Sequence, residues 1–258
     1  MTPSSVASLA TIALTAALSA LQVCIPSAAL ANDLVIPKAV LAIAHAATVR
    51  IETPGSPGSG VVIRNERDSC TLLSAYHVAA SIQEKEAGDV LFRSGQSLPL
   101  RRDMIARVGQ TDFAILKIPN SCPVGRVAVL ANPNDVLIGD RVFVGGFSAN
   151  ISPEVHSASY RVVGGRLLSV SEQLDGYSLT YDVDTVSGMS GGPIFSPSGL
   201  LIGIHGRGET LGNTGQKIAG MGMSVRLALR ILGQTSGGFE SLPSIQPLRS
   251  SPCPGVIC

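Results

Sequence analysis

Between residues 47 and 225 the apolar positions fall into short runs, many of them β-branched, broken by Gly, Pro, Asn and Asp. The runs at 47–52, 60–64, 71–76, 90–93, 113–118, 141–145, 160–163, 178–183, 193–195 and 200–205 have the length and the boundaries of strands. Their close spacing predicts an all-β sandwich or barrel. One stretch departs from this pattern. Over 224–232, Val225, Leu227, Leu229 and Ile231 alternate with Arg226 and Arg230 behind Ser224, a residue suited to an N-cap. This predicts a single C-terminal helix. From Ser236 onward Gly, Pro and Ser dominate and apolar periodicity stops, so 233–258 reads as a flexible tail. No internal repeat is present.

The amino-terminal stretch follows a different logic. Val6 to Val23 carries no charge, and Ala29-Leu30-Ala31 supplies the small residues that a signal peptidase requires. The expectation is a signal peptide over 1–31, a short N-terminal segment over 32–46, and export to the periplasm or the medium. Because Met1 to Ser5 lacks Lys and Arg, an uncleaved membrane anchor remains an alternative. Lipid attachment at Cys24 is a weaker one, since the preceding Val23 is not small. With the leader removed, Cys70, Cys122, Cys253 and Cys258 remain, an even set that in an exported chain favours disulfides over metal ligation. No zinc-type spacing occurs, and neither a metal nor a cofactor is expected. Cys70 opens one apolar run and Cys122 closes another, so a bridge would form if the two runs are antiparallel neighbours. Cys253 and Cys258 would then form a local bridge or remain reduced.

Composition narrows the class without naming it. The 258 residues, 45% hydrophobic, are enough for one substantial core or two small barrels sharing an interface. Lys and Arg total 19 against 18 for Asp and Glu, so charge gives no reason to expect nucleic acid or an anionic membrane as partner. With 28 Gly, 16 Pro and no Trp, the chain favours short elements joined by tight turns.

Candidate chemistry lies at the ends of the predicted strands. Attack on a carbonyl at neutral pH needs a hydroxyl, an imidazole to take its proton, and a carboxylate to orient the imidazole. His77 follows the run at 71–76, Asp112 immediately precedes the run at 113–118, and Ser190 sits in the Gly-rich turn Gly188-Met189-Ser190-Gly191-Gly192-Pro193. Such a turn lets the N–H groups of Gly188 and Ser190 point at one oxyanion without an obstructing Cβ. Singly, each residue has an ordinary structural explanation. Their conjunction at three element boundaries does not.

The blocks Ser74-Ala75-Tyr76-His77-Val78, Thr111-Asp112-Phe113-Ala114-Ile115-Leu116-Lys117 and Ser187-Gly188-Met189-Ser190-Gly191-Gly192-Pro193 resemble, in order, the signature blocks of chymotrypsin-like serine proteases. The resemblance covers 47–232 and implies two six-stranded antiparallel β-barrels with the site between them. It implies His77 as general base and acid, Asp112 as its orienter, and Gly188 with Ser190 as oxyanion hole. It also implies that the strands of Cys70 and Cys122 lie side by side. No PDZ-like domain is expected in the 26 residues after Leu232. The expected partner is a polypeptide substrate, with no nucleic acid, no membrane after leader removal, and a monomeric state.

The same glycines fit the Gly-x-Ser-x-Gly elbow of α/β-hydrolases. That fold needs a helix after the serine, then the acid and the histidine. Here Pro193 and β-type residues follow at once, and only His205 remains as a base.

The specificity residues implied by the resemblance are Asp184, Thr185 and His205. Thr185 with His205 resembles the glutamyl endopeptidases, whose pocket binds a P1 carboxylate, and implies cleavage after Glu. Asp184 stands where trypsin-like enzymes hold the acid that selects Arg or Lys, so that preference is the alternative. Met189 replaces the Asp that trypsin-type zymogens place before the serine, which argues against that route of activation. A protease fold serving only as a binding module is the alternative of a different class.

Overall fold

The computed structural model describes residues 35–149, 160–173, 175–211 and 216–233. The leader expected at 1–31, with the Cys24 alternative, and the tail with Cys253 and Cys258 lie outside the described residues. Every element named below lies in one compact unit that begins at Ile36.

Helix α1 (Lys38–Ala47) leads into a seven-stranded antiparallel sheet built from β1 (Thr48–Glu52), β2 (Gly58–Asn65), β3 (Cys70–Ala75), β4 (Ala87–Leu91), β5 (Ser97–Arg101), β6 (Ile105–Arg107) and β7 (Phe113–Ile118). Their order is β5-β4-β1-β2-β3-β7-β6, a nearly closed barrel. The second half forms a closed barrel of β8 (Arg141–Phe147), β9 (Tyr160–Val170), β10 (Leu179–Tyr181), β11 (Pro193–Phe195), β12 (Leu201–Leu211) and β13 (Gln216–Ser224), ordered β10-β13-β12-β11-β8-β9. A short helix α3 (Arg226–Leu232) follows, two residues shorter than the predicted 224–232. The all-β, two-barrel expectation holds, except that the first barrel has seven strands rather than six.

Three strands were not apparent in the hydrophobic pattern, each for a local reason. β5 contains Pro99, which breaks the pattern and is tolerated because β5 closes one end of its sheet. β6 has only three residues. β13 alternates with glycine, because a Cβ on Gly220 would lie 2.3 Å from the Tyr181 ring and one on Gly222 2.4 Å from Ile194. Helix α1 also went unannounced. It buries Val40, Ala44 and Ala47, one stripe at helical spacing, in the core of the first barrel.

The two barrels meet along β1, β2 and β3 on one side and β8 and β12 on the other. All six residues of β3 are buried, the mark of a strand covered on both faces. Its register with β7 runs from Cys70 opposite Ile118 to Ala75 opposite Phe113. This one register places both ends of the strand. At the far end the chain beyond Ile118 brings Cys122 within reach of Cys70, and the two form a disulfide with Cα atoms 5.6 Å apart. The Asn65 side chain braces that end, donating to Cys122 O at 2.9 Å and accepting from Cys122 N at 2.8 Å.

The bridge closes a loop of 52 residues, for which chain entropy gives about 4 kcal/mol. Replacing both cysteines by Ala is expected to lower the unfolding free energy in urea by about that amount. An unchanged unfolding midpoint would contradict this account of the loop.

Candidate active site

At the near end of the same register, the chain leaving β3 turns through α2 (Tyr76–Ala79) directly beside the residue before β7. Tyr76 N–H donates to Asp112 O at 2.6 Å and His77 N–H to Asp112 Oδ1 at 2.8 Å. His77 Nδ1 lies 2.7 Å from Asp112 Oδ2. The imidazole is about half exposed, at 48%, whereas the carboxylate side chain is 16% exposed. The ring therefore reaches solvent from a shielded partner. Burial by itself would push the Asp112 carboxyl up, but the hydrogen bonds from His77 and from the Tyr177 hydroxyl outweigh it and hold the group below its ordinary range. Tyr177, which sequence reasoning missed, donates to Asp112 Oδ2 at 2.7 Å.

The turn that carries Ser190 depends on glycine at two points. Gly188 and Gly191 have φ of +91° and +83°. A Cβ on Gly188 would lie 2.3 Å from Ala149 N, and one on Gly191 would lie 2.1 Å from Ser59 O and 2.2 Å from Ser74 Oγ. No other residue lets the turn approach β2 and β3 so closely. Between these glycines the Met189 side chain is fully buried with Val142, Val144 and Ile194 in the core of the second barrel. The turn is thus anchored by an apolar side chain.

Backbone bonds complete the anchoring. Gly191 N–H donates to His205 O at 2.7 Å, and His205 N–H to Gly192 O at 2.8 Å. Ser59 clasps the turn from the first barrel. Its N–H donates to Ser190 O at 2.8 Å, its hydroxyl donates to Gly188 O at 2.8 Å and accepts from Phe147 N–H at 2.9 Å, and its carbonyl accepts from Ser74 Oγ at 2.8 Å. Ser59 is completely buried, and sequence reasoning did not single it out. Only the small side chain between Gly58 and Gly60 hinted at close packing there.

These bonds leave two N–H groups unused. Ser187 O accepts from Ala149 N–H at 2.7 Å, so the trans peptide directs the Gly188 N–H the opposite way. Among the described residues, neither Gly188 N–H nor Ser190 N–H has an acceptor. The Ser190 hydroxyl donates to Gly206 O at 2.7 Å. A hydroxyl, an imidazole backed by a carboxylate, and two unpaired N–H groups on one turn are the parts that acyl transfer requires.

The three expected specificity residues divide. Along 181–185 burial alternates, so that Tyr181, Val183 and Thr185 face inward while Asp182 and Asp184 are exposed. Asp184 lines a surface depression with Asp182, Val183, Ile218 and Ala219. Thr185 and His205 are 6% and 2% exposed. His205 Nδ1 lies 2.5 Å from the hydroxyl of Tyr181, itself fully buried. Burial, with a smaller effect of Tyr177, raises the Tyr181 phenol well above its ordinary range, so it stays protonated.

Comparison with known proteins places this arrangement. Residues 58–204, more than half of the chain, match the model of the trypsin-like peptidase domain. Similar solved structures include the HtrA-type protease AlgW with a tripeptide, at 23% identity and a TM-score of 0.58 over 76% of this chain and 62% of that one. Another is a serine endoprotease from Yersinia pestis, at 22% identity and a TM-score of 0.56 over 76% of this chain and 64% of that one. The chain spans less than two thirds of the length of either, and at these identities the likeness is one of fold.

Removing the Ser59 hydroxyl strands the Phe147 N–H and the Gly188 carbonyl in a buried site. Ser59→Ala is expected to cost about 1–3 kcal/mol of stability, read from denaturant unfolding. A variant as stable as the parent would show that the clasp is dispensable.

Proposed function

Because the chain belongs to the trypsin-like peptidase family, we propose that it is a serine endopeptidase working through His77, Asp112 and Ser190, with a preference for Glu at P1. In this reading the Ser190 hydroxyl leaves Gly206 O and gives its proton to the His77 ring as the oxygen attacks the carbonyl. Asp112 keeps the ring in the tautomer with its proton on Nδ1 and stabilises the cation that forms. The N–H groups of Gly188 and Ser190 receive the developing oxyanion. His77 then returns the proton to the leaving amine, and water hydrolyses the acyl-enzyme by the same base. Those two N–H groups, without an acceptor among the described residues and on the nucleophile's own turn, carry the reading most directly. An imidazole–carboxylate pair alone also occurs as a structural contact.

Support for an acidic P1 residue comes from the inner wall of the second barrel. The neutral phenol of Tyr181 lies against His205 Nδ1. With the phenol as donor the ring proton sits on Nε2, the tautomer that suits a carboxylate partner. Thr185 contributes a second hydroxyl. The exposure of Asp184 weighs against selection of Arg or Lys. The bond from Ser190 Oγ to Gly206 O favours the remaining alternative, a silent binding module whose hydroxyl never turns. Export belongs to the same reading, and its support is the Cys70–Cys122 bridge, which persists in an oxidising compartment.

Digestion of a peptide mixture by the full chain is expected to give cleavage after Glu that is absent with Ser190→Ala. His205→Leu is expected to lower kcat/KM for Glu substrates about 10- to 100-fold relative to Gln substrates, the loss of one charge-assisted hydrogen bond. Cleavage confined to Arg or Lys would overturn the acidic preference, and no cleavage by a folded sample would favour the module.

A further inference from the structure

Tyr177 reaches the proposed catalytic pair from the second barrel. The β9–β10 connection folds back on itself through Ser171 N–H to Ser178 O, Gln173 N–H to Tyr177 O and Gly176 N–H to Gln173 O. Its tip lies against the segment just before Asp112. A Cβ on Gly176 would sit 2.6 Å from Thr111 Cβ, and Asp112 N–H donates to Asp175 O at 2.8 Å. The tip therefore holds Asp112 by its backbone through Asp175 and by its side chain through Tyr177.

We infer that Tyr177 is a positioning residue of the proposed triad, its hydroxyl fixing the Asp112 carboxylate in the orientation that receives His77 Nδ1–H. The inference rests on the reading of His77, Asp112 and Ser190 as hydrolytic machinery. Asp112 Oδ2 accepts from both His77 Nδ1 and Tyr177 Oη, each at 2.7 Å, while Oδ1 is taken by the His77 backbone. Both oxygens are thus directed, and rotation of the carboxylate would break bonds on each. Tyr177 is 1% exposed. Burial first, and the neighbouring carboxylate second, push its phenol far above the ordinary range, so the hydroxyl stays protonated and donates.

Two neighbours have made room for this ring. Gly206, the residue whose carbonyl holds Ser190 Oγ, has no side chain, and a Cβ there would lie 2.2 Å from Tyr177 Oη. The guanidinium of Arg207 covers the ring face at 4.3 Å and pairs with Asp175 at 3.2 Å. Asp112, Asp175 and Arg207 act on the phenol, the phenol in turn acts on Tyr181, and His77 shares Asp112 Oδ2 with it. Packing alone would be served equally well by Phe.

The test is Tyr177→Phe in the full chain, which keeps the ring and its packing. Kcat is expected to fall about tenfold with KM within about twofold, since the lost hydrogen bond serves the reacting geometry and not peptide binding. A carboxylate relieved of one donor attracts the imidazolium more strongly, so the acidic limb of the kcat/KM profile moves to higher pH. The imidazole signal of His77, assigned by its loss in His77→Ala, should titrate at higher pH in the variant when followed by NMR without substrate. An unmoved His77 titration, or a kcat loss that only tracks loss of folded protein, would overturn the inference. An inactive parent would overturn the hydrolytic reading instead, while the titration would still report on the Tyr177–Asp112–His77 contact.

Discussion

Ser59 meets the turn of Ser190 with its N–H and its hydroxyl at once. The N–H holds the carbonyl of Ser190, the hydroxyl holds the carbonyl of Gly188, and the same hydroxyl accepts from Phe147 in β8. Ser59 belongs to β2 of the first barrel, whereas its partners belong to the second. One buried residue therefore ties the two barrels together and, with Met189 and the Gly191–His205 bond, holds the turn that carries the Gly188 and Ser190 N–H groups. Leaving any of these groups unpaired in that interior costs about as much as several favourable contacts supply. The glycines at 188 and 191 follow from the same constraint, because a turn held this close to β2 leaves no space for a Cβ.

A second constraint is the register of β3 against β7. It makes His77 and Asp112 neighbours at one end of the strand pair and brings Cys122 to Cys70 at the other. A slip of one residue would turn every buried side chain of β3 and separate both pairs. The covalent bridge and the imidazole–carboxylate contact are thus two readouts of a single pairing. The second barrel adds Tyr177 to this end of the first, and Met189 secures the turn by burial in its own core.

His77, Asp112 and Ser190 stood out in the chain as candidates because each lies at the boundary of a strand or in a glycine turn, where local pattern and chemistry coincide, and the structure brings the first two together. The buried supports did not. Ser59, Tyr177 and Tyr181 occur as ordinary residues of strands and loops, and what marks them is a partner 24 to 129 positions away. Asp184 shows the converse. Its place in the chain suggested a pocket residue, but the alternation of 181–185 turns it outward while Thr185 faces in. Helix α1 was hidden because its apolar stripe is mostly alanine, and β13 because its glycines make way for Tyr181 and Ile194.

Everything proposed for this chain turns on whether the Ser190 hydroxyl is an activated nucleophile beside a formed oxyanion hole. Intact-mass analysis of the full chain after brief exposure to a fluorophosphonate measures this without assuming a substrate. The account predicts one adduct per chain, mapped to Ser190 and absent from Ser190→Ala. A well-folded sample that takes up no adduct would contradict it.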